Sequence, residues 1–136
     1  QLDVDGSPLS NPVAAPVFYD VLYKKKFLIR VIDIKPEQVV GQSTEQVLEI
    51  LGNSTGRGVK RILYGSIQIT GFDEISAFQT AKAEASVYLF DRETGNIIRT
   101  WHVTRSGTGK IKDEARRNVL VEMGRSLGEM LSNTMP

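Results

Sequence analysis

Apolar positions along the chain change period several times, and each change marks an element. Residues 1–16, QLDVDGSPLSNPVAAP, are polar and proline-rich and read as a flexible or irregular arm. Behind Pro16, which suits a first helical position, Val17, Phe18, Val21 and Leu22 recur at helical spacing. Lys24, Lys25 and Lys26 close that helix where cations favour the negative end of its dipole. Residues 28–34, LIRVIDI, are short and β-branched and predict a strand with both faces covered, ended by Pro36. Ser43 with Gln46 is a capping-box pattern that introduces Val47, Leu48 and Leu51 on one face of a second helix, stopped by Gly52 and the loop NSTGRG.

The period then shortens to two. Leu63, Gly65, Ile67 and Ile69 share one strand face, with Tyr64, Ser66 and Gln68 on the other. Residues 71–80 read as a loop, after which Ala83, Ala85, Val87 and Leu89 line one face opposite Glu84, Ser86, Tyr88 and Phe90. DRETGN supplies Asp91 and Gly95 to a hairpin turn, and Ile97, Trp101 and Val103 continue one face of the returning strand. RSGTGKIKD reads as a loop, and a last helix begins near Asp113. Its stripe is Ala115, Val119, Leu120, Met123, Leu127, Met130 and Leu131, with Glu122, Arg125 and Glu129 opposite. Gly124 and Gly128 border the stripe, and two interior glycines imply close packing against the sheet. The expected architecture is α+β in the order α-β-α-β-β-β-α: one mixed sheet of about four strands with helices packed on it, spanning 17–136 as a single domain.

Composition narrows the function more than it suggests one. With 136 residues, the chain buries roughly two-thirds of its unfolded surface in one core. A formal charge of +1 gives no field that would draw the whole molecule to nucleic acid or anionic lipid. No cysteine is present, so disulfides, thiolate metal sites and a cysteine nucleophile are excluded. The apolar runs fall far short of the roughly 20 residues that span a bilayer. A chain that starts at Gln1 reads either as one whose signal sequence has been removed or as a piece cut from a longer protein, and both leave room for a lipid anchor outside these residues.

Few residues carry chemistry. The 107–110 segment GTGK, with Lys112, offers a weak anion loop at Gly107, Gly109 and Lys110, but lacks the spacing of a P-loop. His102 is the single histidine, on the face opposite Trp101, with no partner ligands at metal spacing. Asp91, Glu93 and Thr94 serve the turn. Tyr88 and Phe90 share a strand face that a helix would bury or that a partner would meet. Basic residues gather at 24–26, 57–61 and 105–117, interleaved in the last group with acids. No catalytic constellation, metal site or cofactor site is expected.

The helix before LIRVID, the helix TEQVLEIL before a glycine-rich loop, the strand ILYGSI, the hairpin ASVYLFDRETGNIIRTW and the helix ARRNVLVEMGRSLGEML together resemble a small bacterial envelope domain. It is the domain shared by the TolB amino-terminal domain, CsgG, LpoB and FlgT, and the resemblance covers roughly residues 17–132. It implies an anticodon-binding-domain-like fold and a non-catalytic role, through protein contacts or self-association, in assembling a periplasmic or outer-membrane complex. The family usually opens with an apolar strand, a place that QLDVDGSPLSNP is too polar to fill. The expected contact surface is the hairpin's outward face, Tyr88, Phe90, Arg92, Glu93 and His102, with the unpaired edge near the chain start. A nucleic-acid module using the basic loops, or a phosphate or small-ligand binder at 107–112, is the alternative.

Overall fold

A computed structural model describes residues 1–9, 12–32, 35–55 and 58–135. Its elements are α1 (Ala14–Lys24), a 3-10 turn (Pro36–Gln38), α2 (Thr44–Ser54), β1 (Arg61–Ile75), β2 (Phe78–Asp91), β3 (Ile97–Gly109) and α3 (Lys112–Thr134). The three strands form one antiparallel sheet in the order β1-β2-β3. The class is α+β with helices on a sheet, as the periodicity indicates, but the sheet has three strands among the described residues and is not mixed.

Alternation sets the two faces of the sheet. Ile67 and Ile69 of β1, Ala81 through Leu89 at every second position of β2, and Trp101 and Val103 of β3 are buried on one side. Against that side lies α3, through Ala115, Val119, Leu120, Met123, Leu127 and Leu131. Three contacts hold its ends. Arg99 donates from Nη1 to the Thr134 carbonyl at 2.6 Å, Trp101 Nε1 donates to Thr134 Oγ1 at 2.9 Å, and the Asn118 amide donates to the Thr108 carbonyl at 2.7 Å. On the opposite face α2 covers only the hairpin end, where Val47 and Leu51 bury Ile62 and Phe90. The capping box at its start is formed, with Ser43 Oγ accepting from Gln46 N and Gln46 Oε1 accepting from Ser43 N.

Several sequence expectations change. The predicted strand over 28–34 is not a strand: residues 28–32 run as irregular chain, and 33–34 lie outside the described residues. β-branched residues favour a strand only where a neighbour completes the ladder, and none of the described strands lies beside them. The predicted loop over 71–80 is a continuous hairpin, because Ser76 and Ala77 both adopt positive φ (50° and 66°), the backbone of a two-residue turn. The loop expected after Thr104 is also strand, since β3 runs on to Gly109. Helix α1 begins at Ala14, ahead of Pro16, and α2 passes through Gly52 to Ser54. Of the loop NSTGRG, residues 56–57 fall outside the described set.

Gly124 and Gly128 do mark a close approach, but to a helix rather than to the sheet. A Cβ on Gly124 would stand 2.4 Å from the Ala14 carbonyl oxygen, and one on Gly128 would stand 2.6 Å from Val21 Cβ. Helix α1 therefore packs on α3 and lies beside the sheet instead of over β1.

Candidate functional site

The displaced position of α1 leaves one side of β1 open, and the open space is a groove of about 1590 Å³. Phe18 and Leu22 of α1 form one wall, Leu63 and Ile67 of β1 another, and residues 28–32 the rim. Leu28 is fully exposed there and Val31 is 56% exposed, an unusual placement for residues of that type.

The ionisable side chains of the groove are tyrosines, lysine and arginine. Among its described lining residues there is no carboxylate side chain and no histidine. Burial pushes the Tyr64 hydroxyl above its ordinary value, with neighbouring Tyr88 adding to the effect, and burial followed by Tyr23 does the same for Tyr19. Both phenols stay neutral at ordinary pH. With no carboxylate or histidine among the described lining residues, the groups that face the groove with a proton to exchange are its tyrosines and Lys60. Among the described residues no group of three metal-ligating side chains converges anywhere.

The arm over residues 1–9 contributes to the site. Leu2 lies beside Gln68 as a parallel strand residue, donating from N to the Ile67 carbonyl at 2.7 Å and accepting from Ile69 N at 2.9 Å. Gln1 Oε1 accepts from Ala14 N at 2.9 Å, and Asp3 pairs with Arg116 at 3.3 Å. The arm is irregular in conformation yet anchored at both α1 and α3.

The candidate contact residues of the hairpin do not form one surface. Phe90 is 1% exposed beneath α2, so it is a core residue that no partner reaches, and Tyr88 is half-buried with its ring centroid 6.1 Å from that of Phe90. Trp101 faces α3 on the other side of the sheet and shares no platform with them. Arg92 is half-buried and donates from Nη2 to the Thr55 carbonyl at 3.4 Å, while Glu93 is exposed at the turn. Asp91 holds that turn by accepting from the N–H groups of Glu93 and Thr94, both at 3.0 Å. His102 is exposed on the half of the sheet that α2 leaves open, 2.9 Å through Nδ1 from Ser86 Oγ. Among the described residues no carboxylate hydrogen-bonds its ring, so the pair lacks the orienting group of a nucleophile and base.

The loop expected at Gly107, Gly109 and Lys110 is strand as far as Gly109. Gly107 and Gly109 lie in β3, and a Cβ on them would stand 2.3 Å from Val119 N and 2.6 Å from Ala115 N. Their lack of a side chain lets α3 approach the strand. Lys110 is exposed at the strand end. Of the basic group at 57–61, Arg57 falls outside the described residues.

Residues 1–132 match the family model described as the C-terminal domain of TP0693-like lipoproteins. The chain belongs to that family. It is thereby an envelope lipoprotein domain, and no described helix is long and apolar enough to cross a membrane. Solved structures give weaker likenesses. A candidate lipoprotein from Caulobacter crescentus CB15 aligns at a TM-score of 0.48 and 13% identity, covering 70% of this chain and 86% of that one. The lipoprotein GNA1162 from Neisseria meningitidis aligns at 0.43 and 15%, covering 98% and 94%. No curated protein sequence matches the chain. The assignment rests on the family model alone. The groove beside β1 was signalled in the sequence only indirectly, by an apolar run at 28–34 and a polar segment where an opening strand is expected.

Proposed function

We propose that this lipoprotein domain is a non-catalytic assembly or accessory module of the bacterial envelope, working through protein contacts at the groove beside β1. The observation that carries the reading is the groove's composition: a large apolar cleft bordered by exposed Leu28 and Val31, with no carboxylate or histidine among its described lining residues. Contiguous exposed apolar surface of this kind marks an interaction site, and protein contacts are one of the ways it is buried. A periplasmic or outer-membrane-anchored location, and a role similar to that of the TolB, CsgG, LpoB and FlgT domains, are what the sequence resemblance implies and belong to the same proposal.

The test is a double variant, Leu28→Asp with Val31→Asp, compared with the wild type by cross-linking in envelope fractions. Both side chains are exposed, so the variant should fold with its melting temperature little changed. The wild type is expected to form a discrete cross-linked complex that the variant loses. A wild type that runs as a free monomer in every fraction, or a variant that keeps the complex, contradicts the reading.

A further inference from the structure

Strand β1 is at the edge of the sheet, and Leu2 pairs with its outer side near the middle. Leu2 takes the Ile67 carbonyl and the Ile69 N–H. In an extended strand, the N–H and C=O of every second residue point the same way, so the outward set continues upstream through the backbone of Gly65 and Leu63. Among the described residues, neither makes a backbone hydrogen bond on that side, and β2 is the one described strand that pairs with β1. A row of unpaired backbone groups is a template for another strand. Here the row opens directly onto the apolar groove.

Leu2 limits the vacant stretch and also shows how it is filled. One residue already adds to this edge with ladder geometry at 2.7 and 2.9 Å, and the vacant register lies opposite residues 62–66. Side chains of an added strand would point alternately to the two faces of the sheet. On the α1 side they would meet Phe18 and Leu22, and on the α2 side Ile32 and Val59, which already pack on the cluster of Ile62 and Phe90. Both faces are apolar, as beside an interior strand.

We propose that this groove receives an extended strand from a partner polypeptide, about five residues long and apolar on both faces, which pairs with the backbone of Leu63 and Gly65. The proposal rests on the protein-contact reading above and names the chemistry of the partner. The two can fail separately.

The probe is the peptide acetyl-Lys-Val-Ile-Val-Ile-Val-Lys-amide, titrated into the isotope-labelled chain while exchange of individual amide protons is followed. Binding is expected to slow exchange at Leu63 and Gly65 at least tenfold, with resonance shifts at Phe18 and Ile32. The same peptide N-methylated at alternate residues, which cannot complete the ladder, is expected to lose the effect. Unchanged exchange at Leu63 and Gly65 with millimolar peptide overturns the proposal. So does protection of those amides without peptide, which would mean that the chain covers its own edge or, if protection rises with protein concentration, that a second copy does. A cross-linked complex at Leu28 combined with fast exchange at Leu63 and Gly65 would leave the protein-contact reading standing and remove the strand.

Discussion

Gly128 of α3 lies directly against Val21 of α1: a Cβ at position 128 would stand 2.6 Å from Val21 Cβ and 2.8 Å from its Cγ1. That contact fixes where α1 lies, and the position of α1 decides that β1 keeps an open side. Adding one methyl there must push the helices apart. Gly128→Ala is expected to destabilise the fold by about 1–3 kcal/mol, despite alanine's better helix propensity. Gly52→Ala in α2, with nothing within 4 Å of the new Cβ, should stabilise by roughly 0.5–1 kcal/mol. Urea midpoints for the two variants, moving in opposite directions, check the pair.

Phe90 and His102 were both candidates for partner contact, and their burial separates them. Phe90→Ala empties a site under α2 and should cost about 3–5 kcal/mol. His102→Ala removes an exposed side chain whose one side-chain hydrogen bond among the described residues is with Ser86, and should change stability by no more than about 0.5 kcal/mol. Equilibrium unfolding monitored by the fluorescence of Trp101 measures both.

Trp101 is itself tied to the end of α3. Thr134→Val keeps the shape but leaves the buried indole N–H without its 2.9 Å partner, an expected loss of about 1–3 kcal/mol. Thr134→Ser keeps the hydroxyl and should recover most of it. Thermal unfolding of the two variants, compared with the wild type, makes the distinction.

Asp91 gives the turn a pH dependence. Its carboxyl is held below the ordinary 3.8, chiefly by the Thr94 backbone N–H, with further help from the N–H of Glu93, the Thr94 side chain and Arg61 and some opposition from desolvation. A lowered folded value means that this contribution is fully present above pH 3.8 and is lost as pH falls through the folded value. Asp91→Asn is therefore expected to be less stable than the wild type at neutral pH, with the gap closing in acid below the ordinary carboxylate range. Denaturant midpoints measured at pH 7 and at successively lower pH show whether it closes.

What could be read in advance was whatever the local pattern determines. The alternation from Leu63 to Ile69, the Ala83 to Leu89 face and the α3 stripe all lie where the periodicity puts them, because burial imposes a period of two on strands and 3.6 on helices. What escaped depends on partners distant in sequence. The β-branched residues 28–32 have strand propensity but no described neighbour to complete a ladder. Gly107 and Gly109 carry the usual signature of a loop, yet they are glycine because Val119 and Ala115 press on them from α3. Ser76 and Ala77 turn without the glycine or asparagine that such a turn favours. The groove itself is a relation between α1 and β1 that no short segment encodes.

The central claim is that the groove beside β1 is where this lipoprotein domain meets another protein. A photo-reactive amino acid placed at position 28, and in a second strain at position 102 on the open half of the sheet, tests it in intact cells by the adducts formed on illumination. A discrete protein adduct from position 28, absent from position 102, is the result the structure predicts. Adducts from position 102 alone, or none from position 28, would contradict it.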